Sequence, residues 1–243
     1  VGLPTVGKTT IFTALTRVKA EVSNYSSAKN PNLGIIAVPD ARLDRLTEMF
    51  KPKRKVPATI QFTDIAGLAS AASKKEGATN QFLSHIRDAA VLIHVLRCFD
   101  DPDVPHVSNT ISPVDDLEML HLELALADLE TVDKRAEKLA KELKDPQRKK
   151  EAEQELAAYA KIRPALQDGK PARSVQLEKD EAEAVKRSFL ITMKREIYVC
   201  NTDEAGVSQG NAYIDAVKAK AAEEGTEAVV ICGKFEAELG DLE

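Results

Sequence analysis

The chain has 243 residues, 43% of them hydrophobic and 30% charged, with a formal net charge of −5. That balance supports a packed core in one large domain or two modest ones. It argues against extensive disorder and against a globally basic nucleic-acid binder, and no sequence-specific DNA partner is expected. No apolar run approaches the ~18 residues a membrane helix needs, and no signal peptide is visible, so no membrane partner is expected. Cys98, Cys200 and Cys232 are far apart and show no C-x-x-C spacing. Each sits at the end of an apolar run, which reads as a small buried side chain in a reducing cytoplasm.

In chain order the first feature is "VGLPTVGKTTIFTALT" (1–16). Gly2, Gly7, Lys8 and Thr9 fit G-x-x-x-x-G-K-[ST], the phosphate loop of nucleotide triphosphatases. Such a loop lies between a buried strand and a helix. The helix follows from about Thr9, but only Val1 precedes the loop, so the sequence is expected to be part of a longer chain or its ordered portion. Backbone amides of residues 5–10 (Thr5, Val6, Gly7, Lys8, Thr9 and Thr10) would cradle phosphates at the positive end of the helix. Lys8 would reach the β and γ oxygens, and the Thr9 hydroxyl would bind Mg²⁺.

"LGIIAVP" (33–39) predicts a strand, "ARLDRLTEMF" (41–50) a helix, and "ATIQFTDIAG" (58–67) a strand running into a glycine turn. At the end of that last strand Asp64 could hold the Mg²⁺ shell, and Gly67 would let a backbone N–H approach the γ-phosphate. The next residue is Leu68, where Ras-like GTPases carry the glutamine that orients the attacking water. "NQFLSHIRDA" predicts a helix and "AVLIHVLRCF" (90–99) an apolar strand. Alternating strands and helices are the signature of a parallel sheet covered by helices.

From about Leu117 the pattern changes. Leu117, Leu120, Leu124, Ala127, Val132 and Leu139 recur at mostly three- and four-residue steps, an amphipathic helix too long for ordinary globular packing. Asp145-Pro146 breaks it, and "EAEQELAAYAKIRPAL" runs back as a second helix. The expectation is an antiparallel helical hairpin over 117–187, either an exposed spacer or an arm that docks a partner. It interrupts a nucleotide-binding domain whose parts are 1–116 and 188–243. In the second part, the strands "EIYVCN" (196–201) and "EAVVICG" (227–233) flank the helix "AYIDAVKAKAAEEG".

"CNTDE" stands where GTPases carry the base-reading N-K-x-D. Asn201 is in place, Thr202 replaces the lysine, and Glu204 replaces the aspartate. A longer acid without the stacking lysine stem meets guanine poorly and makes adenine plausible. His85, His94 and His121 lie in helical or apolar-strand patterns and read as structural. His106, on the loop "DDPDVPHVSN", is a candidate to position water in place of the missing glutamine, with a surface or capping role as its alternative.

With "GLPTVGKTT", "DIAGL", "NQFLSHIRDA", "HVLRCFDDPDVPHV", "ISPVDDLEMLHLELALADLE", "CNTDE" and "KFEAEL", the chain resembles the Obg-like ATPase family, also called YchF. The resemblance implies a P-loop GTPase fold with a helical-hairpin insertion and a C-terminal TGS domain, which this sequence does not reach. It also implies ATP binding and hydrolysis in preference to GTP, attributed to the N-x-x-E base motif. The implied partner is the ribosome, both its large subunit and the whole particle. "NYSSAKNPN" (24–32) departs from the family's first switch by lacking its Mg²⁺-ligating Thr, and "KEGATN" (75–80) keeps only Gly77 of a glycine-rich second switch. Three readings follow: a slow Mg²⁺-dependent ATPase, a GTPase, or a nucleotide-gated binding module whose hydrolysis is incidental.

Overall fold

The computed structural model describes residues 1–17, 32–65, 83–106 and 110–240. At its centre β3 (Val91–Arg97), β4 (Arg195–Asn201) and β5 (Glu227–Ile231) form a parallel sheet in that spatial order. The register aligns Val95 with Val199 and Val199 with Val229. Val1 lies along the free side of β3: its amine donates to Ile93 O at 2.7 Å, and Val95 N donates back to Val1 O at 2.9 Å. β3 and β4 read as near-continuous apolar runs because parallel strands are covered on both faces.

The helices are α1 (Lys8–Thr16), α2 (Ala41–Phe50), α3 (83–88), α4 (Pro113–Glu142), α5 (Lys149–Gln167), α6 (Lys179–Val185), α7 (Glu204–Gln209), α8 (Ala212–Glu224) and α9 (Gly233–Gly240). Side chains alternate across the strands. On one face Leu96, Tyr198 and Cys200 pack with Leu117 of α4 and with Ile214 and Val217 of α8. Val95 and Val199 share a cluster with Ile11 of α1 and with Leu3 and Val6 of the phosphate loop. All three cysteines are free and buried, as expected.

β1 (Asn32–Ala37) and β2 (Thr59–Asp64) correct one expectation. They pair antiparallel, Asn32 opposite Asp64 and Ala37 opposite Thr59, as a separate two-stranded sheet. The alternation of strands and helices predicted a parallel sheet covered by helices, but these two strands are antiparallel and α2 buries none of its residues. The chain returns instead to the end it left, where Val38 N donates to Ala58 O at 2.8 Å. The excursion is a long hairpin connection that contains a helix.

α4 has two neighbourhoods. Its first turns, with Leu117, Leu120 and Leu124, belong to the core of the sheet. Further along, Val132 and Leu139 pack with Ala152, Ala158, Ile162 and Leu166 of α5 and with Val185 and Leu190. Arg135 forks onto Glu155 at 2.9 and 3.1 Å, and Arg163 reaches Asp133 at 2.8 Å, so the two helices run antiparallel. Asp128, fully buried, accepts from Ile191 N, Thr192 N and the Thr192 hydroxyl at 2.7–2.9 Å, fastening the returning chain to α4. Burial pushes its carboxyl above the usual range, against those three donors.

Candidate nucleotide-binding site

The loop Gly2–Gly7 leaves the edge of β3 and enters α1. Two glycines make its path possible. Gly2 has φ 154°, and a Cβ there would lie 2.5 Å from Val95 O; Gly7 has φ 92°, and a Cβ there would lie 2.2 Å from Asn201 Nδ2. Any side chain would push the loop off the sheet. Thr5 also takes positive φ, 62°, an unfavourable region for a β-branched residue. Its hydroxyl donates to Pro105 O at 2.9 Å, tying the loop to the segment that carries His106.

The Lys8 ammonium donates to Leu3 O at 2.7 Å. Burial lowers its pKa to about 8, and the Asp64 carboxylate acts in the opposite sense. The Thr9 hydroxyl donates to Asp64 Oδ2 at 2.9 Å, and Asn32 Nδ2 approaches the same oxygen at 3.5 Å. Thr9 and Asp64, fifty-five positions apart, therefore present adjacent oxygens beside the half-buried Lys8. Thr10 is half-buried in the first turn of α1, and Val6 is buried in the core. The loop, Lys8 and the start of α1 fit a polyphosphate, and the Thr9–Asp64 oxygen pair fits a hard divalent ion. Gly67, Leu68 and both switch segments except Asn32 lie outside the described residues.

At the C-terminal end of the sheet, beside the phosphate loop, Asn201 works as a clamp. Its Nδ2 donates to Val6 O at 2.8 Å, and its Oδ1 accepts from Gly233 N at 3.0 Å, so one buried side chain joins the phosphate loop to the β5–α9 turn. Thr202 is also buried: its N donates to Ile231 O at 2.9 Å and its hydroxyl to Cys98 O at 2.9 Å. Asp203 caps α7 by accepting from Gly206 N. Glu204 is exposed and borders a groove of about 300 Å³ with Val207, Ile231, Cys232 and Phe235. Of the three base-segment residues, Glu204 alone extends a free-standing side chain to solvent. The β5–α9 turn, with Gly233, belongs to this end of the site, and sequence reading missed it; its only signal was a glycine following the strand.

His106 is packed rather than open. Its Nε2 lies 3.0 Å from Asp116 Oδ2 on α4, with both side chains 4% exposed. Burial pushes the Asp116 carboxyl up, and the His106 imidazole draws it back. The pair sits one residue beyond Pro105, the carbonyl of which holds Thr5. His94 and His121 are buried.

A phosphate loop running from a sheet edge into a helix, with an acid at the end of a neighbouring strand and an asparagine clamp after a later one, defines a P-loop nucleotide-binding domain of the GTPase type. A family model described as a 50S ribosome-binding GTPase matches residues 1–154. Ribosome-binding ATPase YchF of Bacillus subtilis (strain 168) is 44% identical over 246 residues, covering 100% of this chain and 67% of that protein. The same-named protein of Escherichia coli O157:H7 is 41% identical over 244 residues, with 100% and 66% covered. A solved structure of the Schizosaccharomyces pombe YchF GTPase superposes with a TM-score of 0.81 at 35% identity, covering 99% of this chain and 66% of that one. The chain belongs to the YchF family and spans about two thirds of the length of these relatives.

Proposed function

We propose that this chain is the catalytic part of a Mg²⁺-dependent ATPase that hydrolyses ATP slowly, in preference to GTP, and acts on the ribosome in the cytoplasm. The observation that carries the hydrolytic reading is the Thr9–Asp64 contact beside Lys8 at the start of α1. Thr9 and Asp64 would hold Mg²⁺, which supplies charge neutralisation at the β and γ oxygens. Lys8 and the amides of residues 5–10 would bind the same oxygens and favour charge that develops as water attacks the γ-phosphorus. Gly67 would contribute a further amide to that phosphate. His106 would position the water, through loop movement that frees it from Asp116. The relatives named ATPases and ribosome-binding support the substrate and the partner. Among the described residues no helix is long and apolar enough to cross a membrane, which accords with that setting.

Base choice rests on Asn201, Thr202 and Glu204. Glu204 is one methylene longer than the aspartate of guanine readers and stands beside a groove large enough for a purine. The second reading, a GTPase, draws on the fungal relative's name and on the family model's description. A competition titration of ATP against GTP, with Mg²⁺, separates them. ATP binding at least about tenfold tighter, or ~1.4 kcal/mol, supports the ATPase reading; tighter GTP binding overturns it. Nucleotide binding with no phosphate release, with or without ribosomes, would leave only a nucleotide-gated module.

A further inference from the structure

On the face of the sheet that α4 covers, three side chains from three elements converge. They are His94 in the middle of β3, His121 on α4 and Glu196 on β4. All are buried, and one ligating atom from each lies within 4.8 Å of the others. His121 Nε2 is 2.9 Å from Glu196 Oε2, and His94 Nε2 is 3.6 Å from the same oxygen. His94 is fully buried, yet neither of its ring nitrogens has a hydrogen-bond partner. A buried imidazole with two orphaned nitrogens is costly, and native interiors rarely keep one without a ligand or water.

We infer that His94, His121 and Glu196 form a binding site for one borderline transition-metal dication, Zn²⁺ being the best match. Two imidazole nitrogens and one carboxylate oxygen are a recurrent zinc donor set. A tetrahedral ion with bonds of about 2.0–2.2 Å spaces its ligands about 3.3–3.6 Å apart, close to the 2.9 and 3.6 Å spacings to Glu196, while the two histidine nitrogens, within 4.8 Å of each other, would draw together on the ion. The donor set is nitrogen-rich and selects against Mg²⁺, which seeks oxygen.

The surroundings suit an ion. Arg173 forks onto Glu196, Nη1 to Oε1 at 2.7 Å and Nη2 to Oε2 at 2.8 Å, and so fixes the carboxylate plane. Glu196 could keep the Oε1 contact while Oε2 turns to the metal, the usual outer support of a ligating carboxylate. Glu224, 4.0 Å from Arg173 and hydrogen-bonded by the Tyr198 hydroxyl, offsets the added positive charge. A fourth donor could come from Tyr198, whose hydroxyl lies 3.4 Å from Glu196 Oε2. Bound there, the ion would pin the root of α4, and with it the hairpin, to β3 and β4.

The test uses the whole chain, stripped of metal by chelation and titrated with Zn²⁺ in excess Mg²⁺. The expected result is one site per chain, a raised thermal midpoint, and a visible spectrum of four- or five-coordinate Co²⁺ when cobalt replaces zinc. Long-range ¹H–¹⁵N spectra of the unmodified chain should show two of its four histidines shifting. His94→Phe and His121→Asn should each weaken binding by about tenfold or more and abolish the thermal gain. No uptake, a six-coordinate cobalt spectrum, shifts at His85 and His106 instead, or unchanged affinity in both variants would overturn the assignment.

Discussion

Lys8 carries its charge in a place that disfavours it. Its pKa, about 8 when folded against 10.5 for an ordinary lysine, means that the unfolded chain holds the proton more tightly. Between these values this group makes the protein more stable as pH rises, because the buried charge is relieved. Affinity for a triphosphate moves the other way and falls above pH about 8 as the ammonium is lost. Calorimetric titration of ATP from pH 7 to 9.5 checks this; a flat affinity would mean that Lys8 stays charged. Asn201→Ala removes the partner of both Val6 O and Gly233 N. Each orphaned group costs about 1–3 kcal/mol, so urea unfolding should show a loss of at least about 2 kcal/mol, with weaker nucleotide binding. His106→Ala should lower kcat by about a hundredfold with KM for ATP unchanged and without loss of Mg²⁺ binding. Lost stability with normal turnover would confine His106 to its pairing with Asp116. The phosphate-loop residues were readable because the motif is local. The double duty of Asn201 was not, because its partners lie 195 and 32 positions away.

The helical hairpin follows from apolar spacing alone, since helices bury a stripe wherever the partner stands. Its attachment does not. α4 serves the sheet with its first turns and α5 with its last, and Asp128 sits where the two roles meet. Asp128→Ala leaves two backbone amides and a hydroxyl without their acceptor, so it should cost at least about 3 kcal/mol in chemical denaturation. Asp128→Asn, which keeps one acceptor oxygen, should cost less. Equal losses would show that charge rather than acceptor geometry matters. The antiparallel turn of β2 back onto β1 escaped the pattern because alternation of strand and helix does not say whether the helix crosses the sheet; only the lack of burial in α2 shows that it does not.

The hairpin beyond the sheet takes no part in the nucleotide site described above. Its exposed charges alternate in sign along both helices, for instance Lys134 with Glu130 and Lys149 with Glu153, so electrostatics alone does not select a polyanionic partner. If it is the docking arm, replacing residues 136–155 with a short turn should reduce ribosome co-sedimentation about tenfold or more and leave ATP turnover without ribosomes unchanged. Retained co-sedimentation would place docking on the sheet domain or outside this chain.

The phosphate loop was legible as a short motif, because phosphates are bound by backbone amides and a few side chains contiguous in sequence. The helices were legible because amphipathic spacing is a property of neighbours along the chain. Thr9 and Asp64 were both assigned to one ion by their motifs, but other pairings between distant residues had no sequence signature: Asn201 with the phosphate loop, His106 with Asp116, and the meeting of His94, His121 and Glu196. They depend on strand register and on which face of β3 and β4 lies under α4, and these are set by packing of the entire core.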